Sequence, residues 1–292
     1  MGATVKLPRP RVIGIVVNRD KAEARTRLAE LLQLLAEQGV RPLLARDERG
    51  PRNGLTIHTL GRRADLLIVL GGDGTILRVA RELAGAETPI LGVNLGGLGF
   101  LTSVRSDQMR AVTRQVLQGA YATSVRQTVA ATLRRRGKRL ATYHALNDAV
   151  LSRTAFSHVV RLRLSIDGEW LTEYTCDGMI FATATGSTAY SLSAGGPILL
   201  PTARAGVLTP ICPHALSNRS LIIGENSVVC CQVTRAAGQL LLTVDGQVHT
   251  RLRVGDEVEM RRGPRTVRLV TPPGHAYFEV LRQKLKWSGS NV

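Results

Sequence analysis

Three glycines and one carboxylate, in Gly71-Gly72-Asp73-Gly74-Thr75, form the stretch of this 292-residue chain around which the rest is organised. They follow an apolar run, Leu66 to Leu70, that reads as a fully buried strand, and precede a helix-like pattern, Ile76, Leu77, Val79, Ala80 and Leu83. A strand ending in glycines at the mouth of a helix lets backbone approach phosphate, because no Cβ blocks it and the helix N-terminus offers unpaired N–H groups. Asp73 is the odd member. A carboxylate in such a cradle repels an anion unless it holds a metal ion or takes a proton. Taken alone, Asp73 is either a tight-turn residue or the chemical centre of the protein.

Three further polar clusters interrupt apolar, strand-like segments. In Ala145-Leu146-Asn147-Asp148-Ala149, two adjacent polar residues point to opposite faces of a strand, so at least one needs a partner or solvent. Amide and carboxylate together suit the vicinal hydroxyls of a ribose; a turn or bulge between strands is the alternative. The run Asp177 to Pro197 takes a buried strand into a stretch dense in Gly, Ser and Thr with one Tyr, which offers close backbone approach and many donors, as a nucleotide needs. The third cluster, Asp245-Gly246-Gln247, reads by itself as a hairpin turn. Other chemistries fall away. There is no G-x-x-x-x-G-K-[ST] and no G-x-S-x-G, the six His show no metal spacing, and nothing marks Ser187 as a nucleophile.

These residues need elements to hold them. Val12 to Val17 is an expected first strand, Ala24 to Gln38 an amphipathic helix closed by Gly39, and Val40 to Ala45 a second strand. Arg46 to Gly61 is expected to be a loop with a short element inside. After the Leu66 strand and its helix, Pro89 to Val93 is another strand running into a second glycine loop, Asn94 to Phe100, and a helix capped by Ser106 is expected over about 107–118. This alternation predicts a doubly wound, mostly parallel sheet with ligands at the strands' C-terminal ends. Beyond about Tyr121 the pattern turns to β. Val160 to Ile166 alternates strictly and turns at Asp167-Gly168 into Glu169 to Tyr174, and shorter runs follow at 228–233, 239–244 and 267–271. Two packed sheets are expected there, then a closing helix over Ala276 to Trp287.

Composition sets outer bounds. A net charge of +17 fits either a nucleic-acid binder or a protein that attracts polyanionic small molecules. The densest basic cluster, Arg134 to Arg139, sits between two strand-like runs as a hairpin turn, and no nucleic-acid motif accompanies it. No apolar run approaches the roughly 20 residues of a membrane span, and the first twelve residues carry no secretory h-region. Four cysteines without C-x-x-C or disulfide-like spacing read as reduced, structural and cytoplasmic.

Taken together, Gly71 to Thr75, Asn147-Asp148, the Asp177 to Pro197 run, Pro210 to Leu216, Tyr277-Phe278 and Leu285 to Trp287 resemble the NAD kinase family, and most closely its Gram-negative bacterial members. The GGDG element alone is shared with lipid kinases and phosphofructokinases; Thr185 to Tyr190 followed by Ser193 to Pro197 is specific. The resemblance implies an α/β domain over 1–124, joined by a C-terminal helix at 272–292 that packs back on it, and a β-sandwich NAD-binding domain over 125–271. It implies NAD between the domains and transfer of the γ-phosphoryl of ATP, with Mg²⁺ or another divalent cation, to the 2′-hydroxyl of the adenosine ribose. Asp73 then matches the proton acceptor, beside Gly74 and Arg78. Asn147 and Asp148 match the pair that holds NAD, Glu being commoner at 148. His158, Thr175, Asp177, Thr188, Ala189, Tyr190, Ser191, Leu192, Ser193 and Gln247 match family NAD contacts. Relatives often have Arg or Gly where Thr175 stands, a position tied to NADH acceptance. No residue is matched as a dedicated metal ligand. The implied partners are small nucleotides and a second copy in a homodimer or homotetramer, without nucleic acid or membrane. The rival readings are a diacylglycerol- or sphingosine-type lipid kinase sharing the glycine loop, and a basic nucleic-acid-binding protein.

Overall fold

Short apolar runs that alternate with amphipathic stretches bury themselves as parallel strands covered by helices, and the first third of the chain does so. A computed structural model describes residues 8–46, 53–97, 99–154, 159–215, 217–274 and 276–287. The chain forms two units, one of 1–125 with 267–292, the other of 126–266.

In the first unit the elements run β1 (Val12–Val17), α1 (Ala24–Glu37), β2 (Arg41–Leu44), α2 (Ile57–Arg63), β3 (Leu66–Gly71), α3 (Asp73–Glu82), β4 (Ile90–Asn94), β5 (Val104–Arg105) and α4 (Met109–Leu117). The sheet has the order β2-β1-β3-β4, all parallel. Every residue of β3 and β4 is buried, as a strand covered on both faces requires. Because β1 lies between β2 and β3, the connections leave it in opposite directions. The β1–β3 edge is therefore the switch point, where a crevice opens beyond the strands' C-terminal ends. Asn18, Gly71 and Asn94 stand at those ends. Leu31 and Leu35 of α1 and Met109 and Val116 of α4 pack in the same core as the strands.

Two local expectations shift. The 107–118 helix opens as a 3-10 turn, Ser106–Gln108, before α4 begins, so Ser106 lies inside that turn, whose N-cap is Arg105. The short element expected inside 46–61 is α2, capped by Thr56, whose Oγ1 accepts the Thr59 N–H at 3.2 Å; it runs on to Arg63.

Among its described residues the second unit is mostly strand, with a 3-10 turn at Gly186–Thr188 and one turn of α-helix. It holds β6 (Ala122–Arg135, entering from the first unit), β7 (Lys138–Ala145), β8 (Asp148–Arg153), β9 (Val160–Ile166), β10 (Glu169–Cys176), β11 (Gly178–Thr183), α5 (Tyr190–Ser193), β12 (Ala205–Ile211), β13 (Leu221–Gly224), β14 (Val229–Ala236), β15 (Leu240–Val244), β16 (Val248–Leu252) and β17 (Glu257–Thr271, returning to the first unit). One sheet has the order β13-β12-β11-β8-β15-β16; β9, β10, β14, β6, β7 and the first part of β17 belong to the other. Their inner faces share one core. Leu151, Phe181 and Leu242 come from the first sheet, Leu162, Val233 and Met260 from the second. The two-sheet sandwich read from alternation is what forms. Its hairpins turn at Arg136-Gly137, Asp167-Gly168 and Asp245-Gly246, each with both residues at positive φ, the backbone that a tight two-residue turn demands.

The chain then closes with α6 (Tyr277–Leu285), which belongs to the first unit. Val280 and Leu281 are buried, and Lys284 Nζ lies 6.0 Å from the Phe100 ring centre. The expected return of a C-terminal helix to the α/β domain is thus met.

Candidate active site

In the first unit the chemistry gathers where β3 passes into α3. A Cβ on Gly71 would collide with the Thr75 side chain, so this glycine lets the helix start directly against the strand. Gly72 is the N-cap and Asp73 the first residue of α3, where a carboxylate is favoured by the helix dipole. Gly74 is exposed, and Arg78, one turn further along, is half-buried.

The Asp73 carboxylate is engaged by the second glycine loop. Its Oδ2 accepts the Phe100 N–H at 2.8 Å; its Oδ1 accepts the N–H groups of Leu101 and Thr102 and the Thr102 hydroxyl, each at 3.1 Å. Asn94 laces the same loop from β4, donating to the Gly97 carbonyl at 2.6 Å and to Thr102 Oγ1 at 2.8 Å, and accepting the Gly96 N–H at 2.7 Å. A Cβ on Gly99 would strike Asp73 Oδ1 and Thr102 Oγ1. The two glycine loops are therefore one structure joined by Asp73. Sequence reading gave the loops but not the bond between them, because a carboxylate's donors lie 27 to 29 residues away along the chain.

In the second unit, three clusters that are far apart in sequence meet at one corner. The chain leaves β7 at Ala145 and enters β8, in the other sheet, at Asp148, so Asn147 stands at a sheet change. The Asn147 carbonyl accepts the Thr183 N–H at 2.8 Å, Thr183 Oγ1 donates to the Leu146 carbonyl at 2.6 Å, and the Gly186 N–H donates to Thr183 Oγ1 at 3.0 Å. A Cβ on Gly186 would collide with the Asn147 backbone, which explains the glycine in Thr185-Gly186-Ser187. Asp245 closes the corner, its carboxylate accepting the N–H groups of Leu146, Asn147 and Asp148. Asp148 is 5% exposed, and burial, with the Asp245 carboxylate beside it, pushes its carboxyl up to about 7. Gln247, two residues past Asp245, is half-buried, and its N–H donates to the Val244 carbonyl.

The residues after Gly186 divide by exposure. Ser187 is fully buried between the Ala184 and Leu199 backbones, as a structural serine. Thr188, Ala189 and Leu192 are half-buried, while Tyr190 and Ser193 are exposed. Ser191 is buried with its hydroxyl against Thr209 Oγ1 at 2.8 Å, so its side chain serves the fold.

Thr175 and Asp177 do not join this corner. Strands β8 and β11 are antiparallel, with Ala182 opposite Asp148 and Gly178 opposite Ser152, so Asp177 lies at the far end of the pair. There its carboxylate takes both arms of the Arg153 guanidinium, at 2.7 and 3.0 Å. The Thr175 carbonyl accepts the His214 N–H at 2.9 Å, which ties in the Pro210 to Ala215 segment. Arg153 was not singled out in the sequence; nothing local marks it. His158 lies outside the described residues.

Fold and site define a protein of the nucleotide-phosphate class, with glycine loops at the switch point of a parallel sheet and a separate β unit carrying a polar corner. The ATP-NAD kinase N-terminal domain model matches residues 13–121 and the ATP-NAD kinase C-terminal domain model matches 146–271. The NAD kinase of Symbiobacterium thermophilum is 42% identical over 93% of this chain and 97% of its own. That of Geobacter sulfurreducens is 40% identical over 89% and 92%. Among solved structures, yeast NADH kinase complexed with NADH superposes with a TM-score of 0.86 at 29% identity, covering 98% of this chain and 90% of that one. An NAD kinase from Archaeoglobus fulgidus in complex with ATP, at 22% identity and a TM-score of 0.75, shares the fold. The chain belongs to the NAD kinase family, and it is a phosphotransferase. The relatives include Gram-positive as well as other bacteria, so the likeness is to the family at large. The match to both domain models displaces the lipid-kinase and nucleic-acid readings.

Proposed function

We propose that this chain transfers the γ-phosphoryl of ATP to the 2′-hydroxyl of the adenosine ribose of NAD, giving NADP, with Asp73 as the proton acceptor. The observation that carries the residue-level reading is the unequal loading of the Asp73 oxygens. Oδ1 accepts three donors and Oδ2 one, so Oδ2 keeps the lone pair that can accept a hydroxyl proton. A carboxylate is a weak base for a ribose hydroxyl, so it acts late, as the P–O bond forms, and contributes about 10²–10⁴ in rate. Most of the remainder is positioning and charge neutralisation.

Magnesium fits this donor set in a limited way. Among the described residues no group of three His, Cys, Asp or Glu could hold a metal ion. Mg²⁺ entering with ATP would be held chiefly by phosphates and water, which leaves the free lone pair of Asp73 Oδ2 to the hydroxyl proton. The ion would neutralise charge on the transferring phosphoryl.

Asn147 and Asp148 hold NAD, with Thr188 to Ser193 and Gln247, in the same unit, as further contacts. Gly74 and Arg78 act beside Asp73, and His158 belongs to the proposed set by its motif. Thr175 and Asp177 are NAD contacts of a different kind. Asp177 lies five positions along the strand from Ala182, the partner of Asp148, roughly 16 Å at about 3.3 Å per residue. That separation supports a homodimer or homotetramer in which Thr175 and Asp177 of one copy serve the nucleotide held at Asn147 and Asp148 of another. A cytoplasmic location is supported by four unpaired cysteines, with burial raising the Cys176 thiol to about 12. Among the described residues no helix is long and apolar enough to cross a membrane.

The test is direct. Protein incubated with Mg²⁺, ATP or inorganic polyphosphate, and NAD or NADH is assayed for NADP(H) with an NADP-specific dehydrogenase. NADP formation from ATP and NAD is expected; its absence with every donor and acceptor would remove the assignment.

A further inference from the structure

The turn at Asp245-Gly246 needs two residues in the left-handed region, with φ of +49° and +66°. Asn-Gly would satisfy that geometry equally well. What a neutral residue would not supply is the use to which the Asp245 carboxylate is put. Its Oδ2 accepts the Leu146 N–H at 2.9 Å; its Oδ1 accepts the Asn147 N–H at 2.7 Å and the Asp148 N–H at 3.2 Å. The Asp245 N–H returns to the Asp148 carbonyl at 3.0 Å. Buried N–H groups must be paired, and a chain changing from one sheet to another has no ladder partner at the change. One carboxylate, 7% exposed, supplies acceptors for three consecutive N–H groups there.

The sequence placed Asn147-Asp148 and Asp245-Gly246-Gln247 in separate clusters, and the second was a turn by itself. The tertiary contact joins them. We propose that Asp245 is a positioning residue for nucleotide binding: by fixing the 146–148 backbone it sets the direction in which Asn147 and Asp148 present their side chains to the vicinal hydroxyls of a nucleotide ribose. The inference rests on the proposed role of Asn147 and Asp148. A second consequence follows from the same contact. Around Asp148, β11 supplies Ala182 and Thr183, and β15 with its turn supplies Val244 and Asp245. Asp245 is the charged group that acts on it. Burial is the larger cause of the raised Asp148 carboxyl, and the Asp245 carboxylate held against the same backbone adds to it.

Asp245→Asn tests this with little change of shape, since Asn tolerates the left-handed backbone. Its amide sets a donor against backbone donors and removes the charge. The expected result is a KM for NAD raised about tenfold or more, with kcat and the KM for ATP changed less. The pH at which the KM for NAD changes should move down. In an Asp148→Asn background the same substitution should leave no such pH shift. A merely structural turn would lower thermal stability while keeping the wild-type profile of KM against pH; that result, or an unchanged KM in a folded variant, overturns the proposal. Absence of NADP formation by the wild-type protein would instead count against the family chemistry. Independently of turnover and of the variant's folding, an NMR titration of the wild-type protein reads the clamp. The amide protons of Leu146, Asn147 and Asp148 should shift with one common midpoint, and independent behaviour of the three would also overturn it.

Discussion

Replacing Asp73 by Asn separates two roles that the structure assigns to one side chain. An amide oxygen has two lone pairs, where the carboxylate Oδ1 accepts three donors, and the amide nitrogen would face the Phe100 N–H donor that Oδ2 now accepts at 2.8 Å. Two of four bonds are lost. Bonds to a charged group are each worth about 1.5–3 kcal/mol, and because Asp73 and Phe100 are half-exposed, water recovers part of that. A net loss of about 2–3 kcal/mol lowers the melting temperature by about 5–10 °C for a domain of this size. Loss of the proton acceptor lowers kcat by about 10²–10⁴ beyond any effect of the loosened loop. Gly99→Ala supplies the comparison, since its Cβ would push Asp73 Oδ1 and Thr102 Oγ1 aside and loosen the loop while keeping a carboxylate at position 73. The assay is initial-rate NADP formation at saturating ATP and NAD, alongside thermal unfolding followed by circular dichroism. Asp73→Asn should be slower than Gly99→Ala by at least about two decades. Equal losses in the two variants would reduce Asp73 to a loop anchor and refute the proton-acceptor role. Near-wild-type turnover in folded Asp73→Asn would refute both roles.

Other outcomes follow from the second unit. Asp148 has a folded pKa raised from 3.8 to about 7, so the folded state holds its proton more tightly than the unfolded chain. The stabilising effect is therefore complete below pH 4 and is lost as pH rises through 7, corresponding to about 4 kcal/mol. Asp148→Asn should accordingly gain stability at pH 8, by up to about 4 kcal/mol, with the gain vanishing by about pH 4, as urea unfolding at the two pH values would reveal, while its KM for NAD rises. An equal effect at both pH values would contradict the assignment of the charge cost to this residue. Gly186→Ala drives a Cβ into the Asn147 backbone; it should cost about 1–3 kcal/mol and raise the KM for NAD more than that for ATP. Asp177→Asn breaks a two-armed ion pair with Arg153 at the far end of β8 and β11. If a second copy supplies this residue, mixing it with Asn147→Ala chains should restore part of the activity that each variant loses alone, and absence of any recovery in mixed oligomers would count against that arrangement.

What the sequence by itself determined is local. The strand Leu66–Gly71, the glycines that let α3 start against it, the β-α alternation and the two-residue turns at Asp167-Gly168 and Asp245-Gly246 all follow from periodicity and from backbone demands that only neighbouring residues meet. The residue types of the candidate site were legible for the same reason: a carboxylate after glycines and an amide beside a carboxylate announce themselves within a few positions. Only the tertiary structure decided what those groups touch. Asp73 looked like a carboxylate facing a ligand, and it proves to hold the second glycine loop. Asp245 looked like a turn residue, and it holds the backbone of Asn147 and Asp148. Ser191 stood among expected ligand contacts, and its hydroxyl bonds Thr209. Thr175 and Asp177 stood near the Thr188 to Ser193 run in sequence, yet strand direction carries them to the opposite end of β11. The physical reason is common to all four. A hydrogen bond between residues tens of positions apart leaves no trace in the spacing of either, because spacing records the period of one element while contact depends on how two elements are registered against each other.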